Sequence, residues 1–264
     1  MRFSQSTLNP IRRLIERFSR NIHFRRRLPD RFGGLRLMLS PGASLAYYRG
    51  LRQPRFNDIF DFAEHYIKPG YTVWDVGGNM GVFTFAAAAR ATTTGRVLCL
   101  EPDLWSVHLL RCSCDYNRGR AASVDVLPVA VSDRLALEWL NIPERCRAAA
   151  HLALAGGAGT EITGEVREQH LTPTVTLDWL AENYPVPQAI KIDVDGNERR
   201  VLAGGRTLLL QQHPIILTEV YERNADAVSG FLHDLGYTLF DFNRGEAAKH
   251  VIPRATYNTL ALLS

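Results

Sequence analysis

Twelve residues limit the folds open to this chain: Val73-Trp74-Asp75-Val76-Gly77-Gly78-Asn79-Met80-Gly81-Val82-Phe83-Thr84. The apolar, β-branched and aromatic run from Tyr71 to Val76 predicts a buried strand. Gly77, Gly78 and Gly81 predict the turn after it, and the alanine-rich stretch from Phe83 to Arg90 predicts a helix. A parallel strand that enters a glycine turn and then a helix is how open α/β sheets build a nucleotide site. The glycines let the backbone approach a ligand, and the helix start offers unpaired N–H groups. The spacing is D-x-G-x-N-x-G, which is neither the dinucleotide fingerprint nor the phosphate loop G-x-x-x-x-G-K-[ST]. A second strand, Arg96 to Glu101, also ends in an acid, and in such sheets that acid accepts hydrogen bonds from ribose hydroxyls.

Asp75 before the glycine turn and Glu101 after the next strand agree in register, and five stretches stand out: Asp75 to Gly81, Leu100-Glu101-Pro102-Asp103, Val129-Ala130-Val131-Ser132-Asp133, Thr176-Leu177-Asp178-Trp179-Leu180 and Lys191-Ile192-Asp193-Val194-Asp195-Gly196-Asn197-Glu198. Through them the chain resembles the class I methyltransferases that use S-adenosylmethionine, and within these the FkbM family of O-methyltransferases, from about Phe56 to Glu219. The last stretch is the most family-specific. Asp195 stands where glutamate is commoner, which keeps the charge. The resemblance implies an α/β fold with a doubly wound, mainly parallel, seven-stranded sheet. It implies S-adenosylmethionine as cofactor, held by Asp75, Gly77, Gly78, Asn79, Gly81, Glu101, Pro102, Asp103, Val131, Ser132 and Asp193. It also implies a hydroxyl of a sugar, glycan or glycosylated small molecule as acceptor. For Ser132 a second reading stands beside the adenine contact: an ordinary turn at a strand end, with Asp133 as a cap.

A chain of 264 residues holds one α/β domain with a full core and a small extension. The expected division is a basic N-terminal extension over 1–55, with an amphipathic helix, and a methyltransferase domain over 56–264 that carries a substrate-side insertion at 141–170. No apolar run approaches the roughly 20 residues that span a bilayer, and the first residues lack the apolar core of a secretory signal. The cysteines Cys99, Cys112, Cys114 and Cys146 form no C-x-x-C pair. They read as reduced thiols of a cytoplasmic protein rather than as a zinc site.

The net charge of +4 hides an asymmetry, because ten arginines lie between Met1 and Arg36 against Glu16 and Asp30. Leu8, Ile11, Leu14, Ile15, Phe18 and Ile22 recur at helical spacing, with Arg12, Arg13, Arg17 and Arg20 on the other faces. Such a basic amphipathic helix packs on the domain, contacts an anionic membrane surface peripherally, or meets nucleic acid or an anionic glycan; an organellar presequence has the same arginine-rich, acid-poor character. Further on, strands alternate with helices. Asn57 to Tyr66, Pro102 to Asn117, Leu177 to Asn183, Glu198 to Leu210 and Asp226 to Leu235 are expected helices, the fourth interrupted at Gly204-Gly205. Arg145 to His170 shows no period, and Ala155-Gly156-Gly157-Ala158-Gly159 marks a flexible break.

In open α/β sheets ligands bind at the carboxyl ends of strands, where Asp75, Glu101, Asp133, Asp193 and Glu219 all fall. Alternation along Lys191-Ile192-Asp193 puts the charged positions on one side of the fourth strand. A lysine there requires a partner, and Asp193 and Glu219 are the candidates. Asp193 is expected as base or acceptor for the substrate hydroxyl, with Glu219 and Lys191 completing the catalytic set. The alternative is an ion-pair network that only fixes the strand ends. Glu198 and Asp195 also read as a helix-start charge and a turn residue. His213 falls at the amino edge of the sheet, away from the chemistry. His151 and His170 flank the insertion and are secondary candidates for a base. A divalent ion held by Asp193 and Glu219 is a further possibility. The competing functions are RNA methylation, which the arginine-rich start suggests and the missing N-P-P-[FY] tetrad after the fourth strand opposes, and an inactive cofactor-binding scaffold at a membrane or anionic surface.

Overall fold

The computed structural model describes residues 21–144, 146–153, 165–243 and 250–263. The amphipathic pattern at 8–20 and the glycine-rich break at 155–159 lie outside the described residues.

β1 (Phe24–Arg27) and β2 (Arg36–Leu39) form an antiparallel hairpin. Two short 3-10 turns, Leu45–Arg49 and Pro54–Phe56, lead to α1 (Asn57–Tyr66). β3 (Thr72–Val76) passes through the glycine turn into α2 (Val82–Ala91). β4 (Arg96–Leu100) precedes α3 (Leu104–Asn117), and β5 (Ser123–Leu127) follows. Next come β6 (Ala130–Val131), β7 (Ala136–Pro143), β8 (His151–Leu152) and β9 (Val166–Val175). The second half holds α4 (Leu177–Asn183), β10 (Ala189–Ile192), α5 (Glu198–Ala203), α6 (Arg206–Gln212) and β11 (Ile215–Glu219). It finishes with α7 (Ala225–Asp234), β12 (Tyr237–Asp241), β13 (His250–Val251) and β14 (Asn258–Leu263).

The main sheet runs β13-β12-β14-β11-β10-β3-β4-β5. The five strands from β11 to β5 are parallel, and β14 is antiparallel to both of its neighbours. The expected seven-stranded, doubly wound sheet is therefore present, with the two-residue β13 added at one edge. Strand order reverses between β3 and β10, which opens the crevice where such sheets bind ligands.

Alternation along the central strands divides the interior in two. Val73, Val97, Cys99, Ala189 and Leu217 face one layer with Phe60 and Phe62 of α1, Phe83 and Phe85 of α2 and Leu110 of α3. Trp74, Val76, Leu98, Leu100, Ile190 and Ile192 face the other, with Leu180, Val201, Leu209, Val228 and Leu232. Local chemistry sets the helix starts. Asp103 accepts from the N–H groups of Trp105 and Ser106, and Thr176 accepts from that of Trp179, each satisfying donors the helix cannot.

Two sequence expectations change. The boundary at residue 55 does not separate an extension from a domain. Leu28, Phe32, Leu35, Leu37 and Leu39 belong to the same core as α1 and α2. The β1–β2 hairpin is also bonded to α3: Met38 N–H donates to Ser113 Oγ, and Asn117 exchanges two bonds with the Arg36 backbone. The insertion is wider than 141–170. It is a second sheet, ordered β6-β9-β7-β8, which spans 130–175. β7 and β9 pair antiparallel from Ala136↔Thr174 onward, with an irregularity between Ile142 and Pro143. Among the described residues no helix is long and apolar enough to cross a membrane.

Candidate active site

Gly77 bends the chain out of β3 with a φ of +85°, and its N–H bonds to the Leu100 carbonyl. A Cβ at this position would overlap the Asp193 carbonyl oxygen, so only glycine lets the β3 and β10 ends approach this closely. Asn79 follows with a φ of +48°, and its N–H donates to Glu101 Oε2 at 2.7 Å. Glu101 Oε1 accepts from the Asp103 N–H at 2.8 Å. The acid at the end of β4 thus ties the glycine turn to the start of α3. Burial pushes Glu101 up to about 8, against the pull of these two donors.

A small cavity of about 50 Å³ opens here, with Gly77, Asn79, Glu101, Pro102, Val131 and Asp193 in its lining. Leu100, Val129, Leu140 and Leu152 add an apolar wall. These residues fit the cofactor the sequence implies. Glu101 offers carboxylate oxygens for ribose hydroxyls, and the apolar wall suits a purine. Asn79 Oδ1 and Asn197 Oδ1 are buried acceptors without a hydrogen-bond partner among the described residues, and such atoms call for donors from a ligand. The free volume of about 50 Å³ holds only a few water molecules.

The roof of this cavity is the segment 146–150, which falls within the substrate-side insertion expected at 141–170. Arg147 donates to both oxygens of Asp103, at 2.6 and 2.7 Å, and to Glu168 at 2.6 Å. Its guanidinium also lies 5.1 Å from the Trp105 ring centroid. Burial opposes charge on Asp103, but the two Arg147 bonds prevail and hold its carboxyl below the usual range. Ala148 N–H bonds to the Ala43 carbonyl, and Asn79 Nδ2 reaches the Ala148 carbonyl at 3.5 Å. The roof therefore joins the insertion to both the N-terminal segment and the glycine turn.

Beside this cavity lies a larger one of about 720 Å³. Asn79, Ala148, Asp193 and Asp195 line both. Strand parity explains its chemistry. Lys191 pairs in register with Asp75 on β3 and Leu217 on β11, so Asp75, Lys191 and Glu219 share one face of the sheet. Lys191 is 3% exposed, and its Nζ donates to Asp193 Oδ2 at 2.9 Å. Burial works against its charge, but Asp193, Asp75 and Glu219 more than compensate and raise its pKa. Burial first and Asp193 second push Glu219 up to about 7. Burial and Asp193 also raise Asp195 well above the usual carboxylate range, although the Tyr221 hydroxyl donates to it.

The structure brings Asp193, Glu219 and Lys191 together and puts Gly77, Asn79, Glu101, Pro102 and Val131 on the small cavity. Five expected cofactor contacts do not line this cavity and support it from behind. Asp75 is 1% exposed and accepts from Thr84 Oγ1 beneath the glycine turn. Gly78 packs on Cys99 and Gly81 on Leu110 and Phe85. Ser132 is fully buried, and its hydroxyl donates to Asp133, which Arg200 clamps against Glu138. Asp103 acts through Arg147. Glu198, 0% exposed, accepts from the Gly196 N–H and Asn224 Nδ2 and shapes the turn after β10. His151 lines the small cavity; exposed His170 and His213 line neither. Sequence reasoning missed Arg147, Asn197, Tyr257 and Asn258. Only Asn197 lay within a recognised motif. Among the described residues no three His, Cys, Asp or Glu side chains are grouped to hold a metal ion, and Asp193, one of the two expected ligands, is already paired with the Lys191 ammonium.

Glu101→Ala should weaken S-adenosylmethionine binding by about 10- to 100-fold, the effect of losing two hydrogen bonds to ribose hydroxyls. Calorimetry measures it, and an unaltered dissociation constant would remove Glu101 from the ribose.

The family profile described as "Methyltransferase FkbM domain" matches residues 75–239. No curated protein matches the chain. Among solved structures, a methyltransferase FkbM from Methylobacillus flagellatus KT superposes with a TM-score of 0.50 at 14% identity, covering 78% of this chain and 52% of that one. The chain thus spans about half the length of that neighbour. Fibrillarin from Aeropyrum pernix, with S-adenosyl-L-methionine bound, gives a TM-score of 0.44 at 11% identity over 75% of this chain and 68% of its own. An O-methyltransferase from Bacillus cereus gives 0.43 at 15% identity over 80% and 82%.

Proposed function

The chain belongs to the FkbM family of methyltransferases, and from that premise we propose that it transfers a methyl group from S-adenosylmethionine to a hydroxyl of a sugar, glycan or glycosylated small molecule. The observation that carries this reading is the position of Asp193 on the shared wall of the two cavities. An acceptor hydroxyl in the larger space then meets a carboxylate at the edge of the smaller one. When bound, S-adenosylmethionine supplies an electrophilic methyl on its sulfonium. Asp193 takes the proton that the acceptor hydroxyl sheds. Lys191 fixes one oxygen of that carboxylate at 2.9 Å, which sets its direction before any acceptor arrives. The larger cavity is lined by Asp58, Asn243 and Asn258 together with Tyr47 and Tyr257. Carboxylates and amides suit vicinal hydroxyls, and aromatic faces suit a sugar ring.

Mass spectrometry after incubation with isotope-labelled cofactor and a glycan extract tests the reading. The expected product is a labelled methyl ether on a glycan. Label found on RNA nitrogen instead would overturn it.

The pH profile offers a second check. Burial and Asp193 push Glu219 up to about 7, and only once ionised is it a full acceptor for orienting the substrate hydroxyl. The value of kcat/KM should rise through about pH 7, and Glu219→Gln should flatten that limb. The stability sign is opposite. A carboxyl whose pKa is raised on folding destabilises the native state as pH climbs from its ordinary value through the folded one. Glu219→Gln should therefore melt higher than the parent above pH 7, and equal melting curves there would contradict the assignment.

A further inference from the structure

The first hairpin carries an arrangement that methyl transfer does not use. Arg25, Arg26, Arg27 and Arg36 line one open cleft of about 310 Å³. Arg27 and Arg36 are direct cross-strand partners in the β1–β2 register. Like charges placed opposite each other destabilise a strand pair, yet neither has a carboxylate at ion-pair distance among the described residues. Nearby arginines do: Arg31 is 2.9 Å from Glu64, and Arg52 is 3.9 Å from Asp30. The other two guanidiniums of the cleft are braced. Arg26 donates to the Tyr48 carbonyl at 3.1 Å and lies over the Phe24 ring, and Arg25 lies over Tyr116. Four cations are thus gathered, half of them held in position, and none of the four has a carboxylate at ion-pair distance among the described residues. Guanidinium forks match phosphate oxygens.

The surroundings distinguish among anions. Ile22, two residues before β1, is 52% exposed, and Tyr48 beside the cleft is 67% exposed. The sequence before them repeats Leu8, Ile11, Leu14, Ile15 and Phe18 at helical spacing, with four arginines between. Apolar and aromatic side chains next to clustered arginines suit a lipid headgroup region, where apolar groups are buried while cations meet phosphate. A free phosphate or a nucleic-acid backbone gives those apolar groups nothing to enter.

We infer that the arginine cleft of the β1–β2 hairpin docks the protein on an anionic lipid bilayer through headgroup phosphates. The docked face adjoins the acceptor site, because the turn whose Tyr48 carbonyl holds Arg26 also contributes Tyr47 to the larger cavity. The inference stands independently of the acceptor's identity.

The test is co-sedimentation of the full chain with vesicles. Equimolar phosphatidylcholine and phosphatidylglycerol should retain the protein at low salt, and pure phosphatidylcholine should not. The double variant R27E/R36E leaves the first twenty residues intact and changes only exposed side chains. It should lower partitioning at least about tenfold, given roughly 1 kcal/mol per basic residue near such a surface, with no change in melting temperature. Undiminished binding by R27E/R36E would overturn the inference, as would failure of the parent to bind anionic vesicles. Tight binding of inorganic pyrophosphate by a parent that ignores the vesicles would also overturn it, and would make the cleft a soluble-phosphate site.

Discussion

Lys191→Met should cost about 3–5 kcal/mol of folding stability at neutral pH, the effect of removing one partner from a buried ion pair. Methionine nearly matches the lysine stem in volume, so the loss is one of charge rather than of packing. The ammonium it removes donates to Asp193 and faces Asp75 and Glu219. Without it three carboxylates confront one another with no cation, at a position 3% exposed. The sign with pH is definite. A lysine whose pKa is raised on folding contributes fully below its ordinary value and loses that contribution only as pH climbs through the folded one. The whole contribution is therefore in force at pH 7. In the variant the carboxylates relieve their repulsion by taking up protons, so its deficit should shrink toward pH 5. For a domain of this size the expected fall in melting temperature is on the order of 10 °C at pH 7.5. Parent and variant melting alike at that pH would show that the lysine is not holding these acids.

Asp193→Asn should lower turnover by about 10²- to 10⁴-fold, the range for losing a positioned proton acceptor, while the affinity for S-adenosylmethionine moves little. Asparagine keeps the shape, and its carbonyl oxygen still accepts from Lys191, which also retains Asp75 and Glu219. The variant should therefore fold. What it lacks is a place for the hydroxyl proton. Single-turnover rates with saturating cofactor separate this loss from any change in binding. A rate equal to the parent's would mean that another group accepts the proton, and His151 on the lining of the small cavity would be the next to change.

The strand–glycine–helix core was legible because its signals are local. The run from Tyr71 to Val76, the turn and the alanines each announce one element, and β3 and α2 begin and end within about a residue of the expected places. Which way a strand-end acid points is not local. Asp75 and Glu101 look equivalent in sequence. Parity sends Asp75 under α2 to Thr84, while Glu101, one step past β4, turns into the small cavity. The full extent of the insertion, wider than the expected 141–170, escaped for another reason. β9 reads Val-Arg-Glu-Gln-His-Leu-Thr-Pro-Thr-Val, with a proline inside the pairing, and its partner lies about thirty residues earlier in the chain. Its exposed face keeps Leu137, Trp139 and Leu171 in solvent, so hydrophobicity gave no inward side to read. Arg147 bears no motif. Its importance comes from Asp103 and Glu168, which only the folded chain brings to it.

β14 slots between β11 and β12, and it has a consequence for biosynthesis. Tyr257 at its threshold donates to Glu219, while Asn258 at its start donates to Asp58 across 200 positions of chain. A ribosome adding about 5–20 residues per second needs several seconds to pass from β11 to the end of β14. Through that interval β11 presents a bare edge of the kind that recruits foreign strands, and Glu219 lacks its phenolic donor. The larger cavity is thus completed by residues made well after β11, and a nascent polypeptide stalled short of them holds the smaller cavity without a finished larger one.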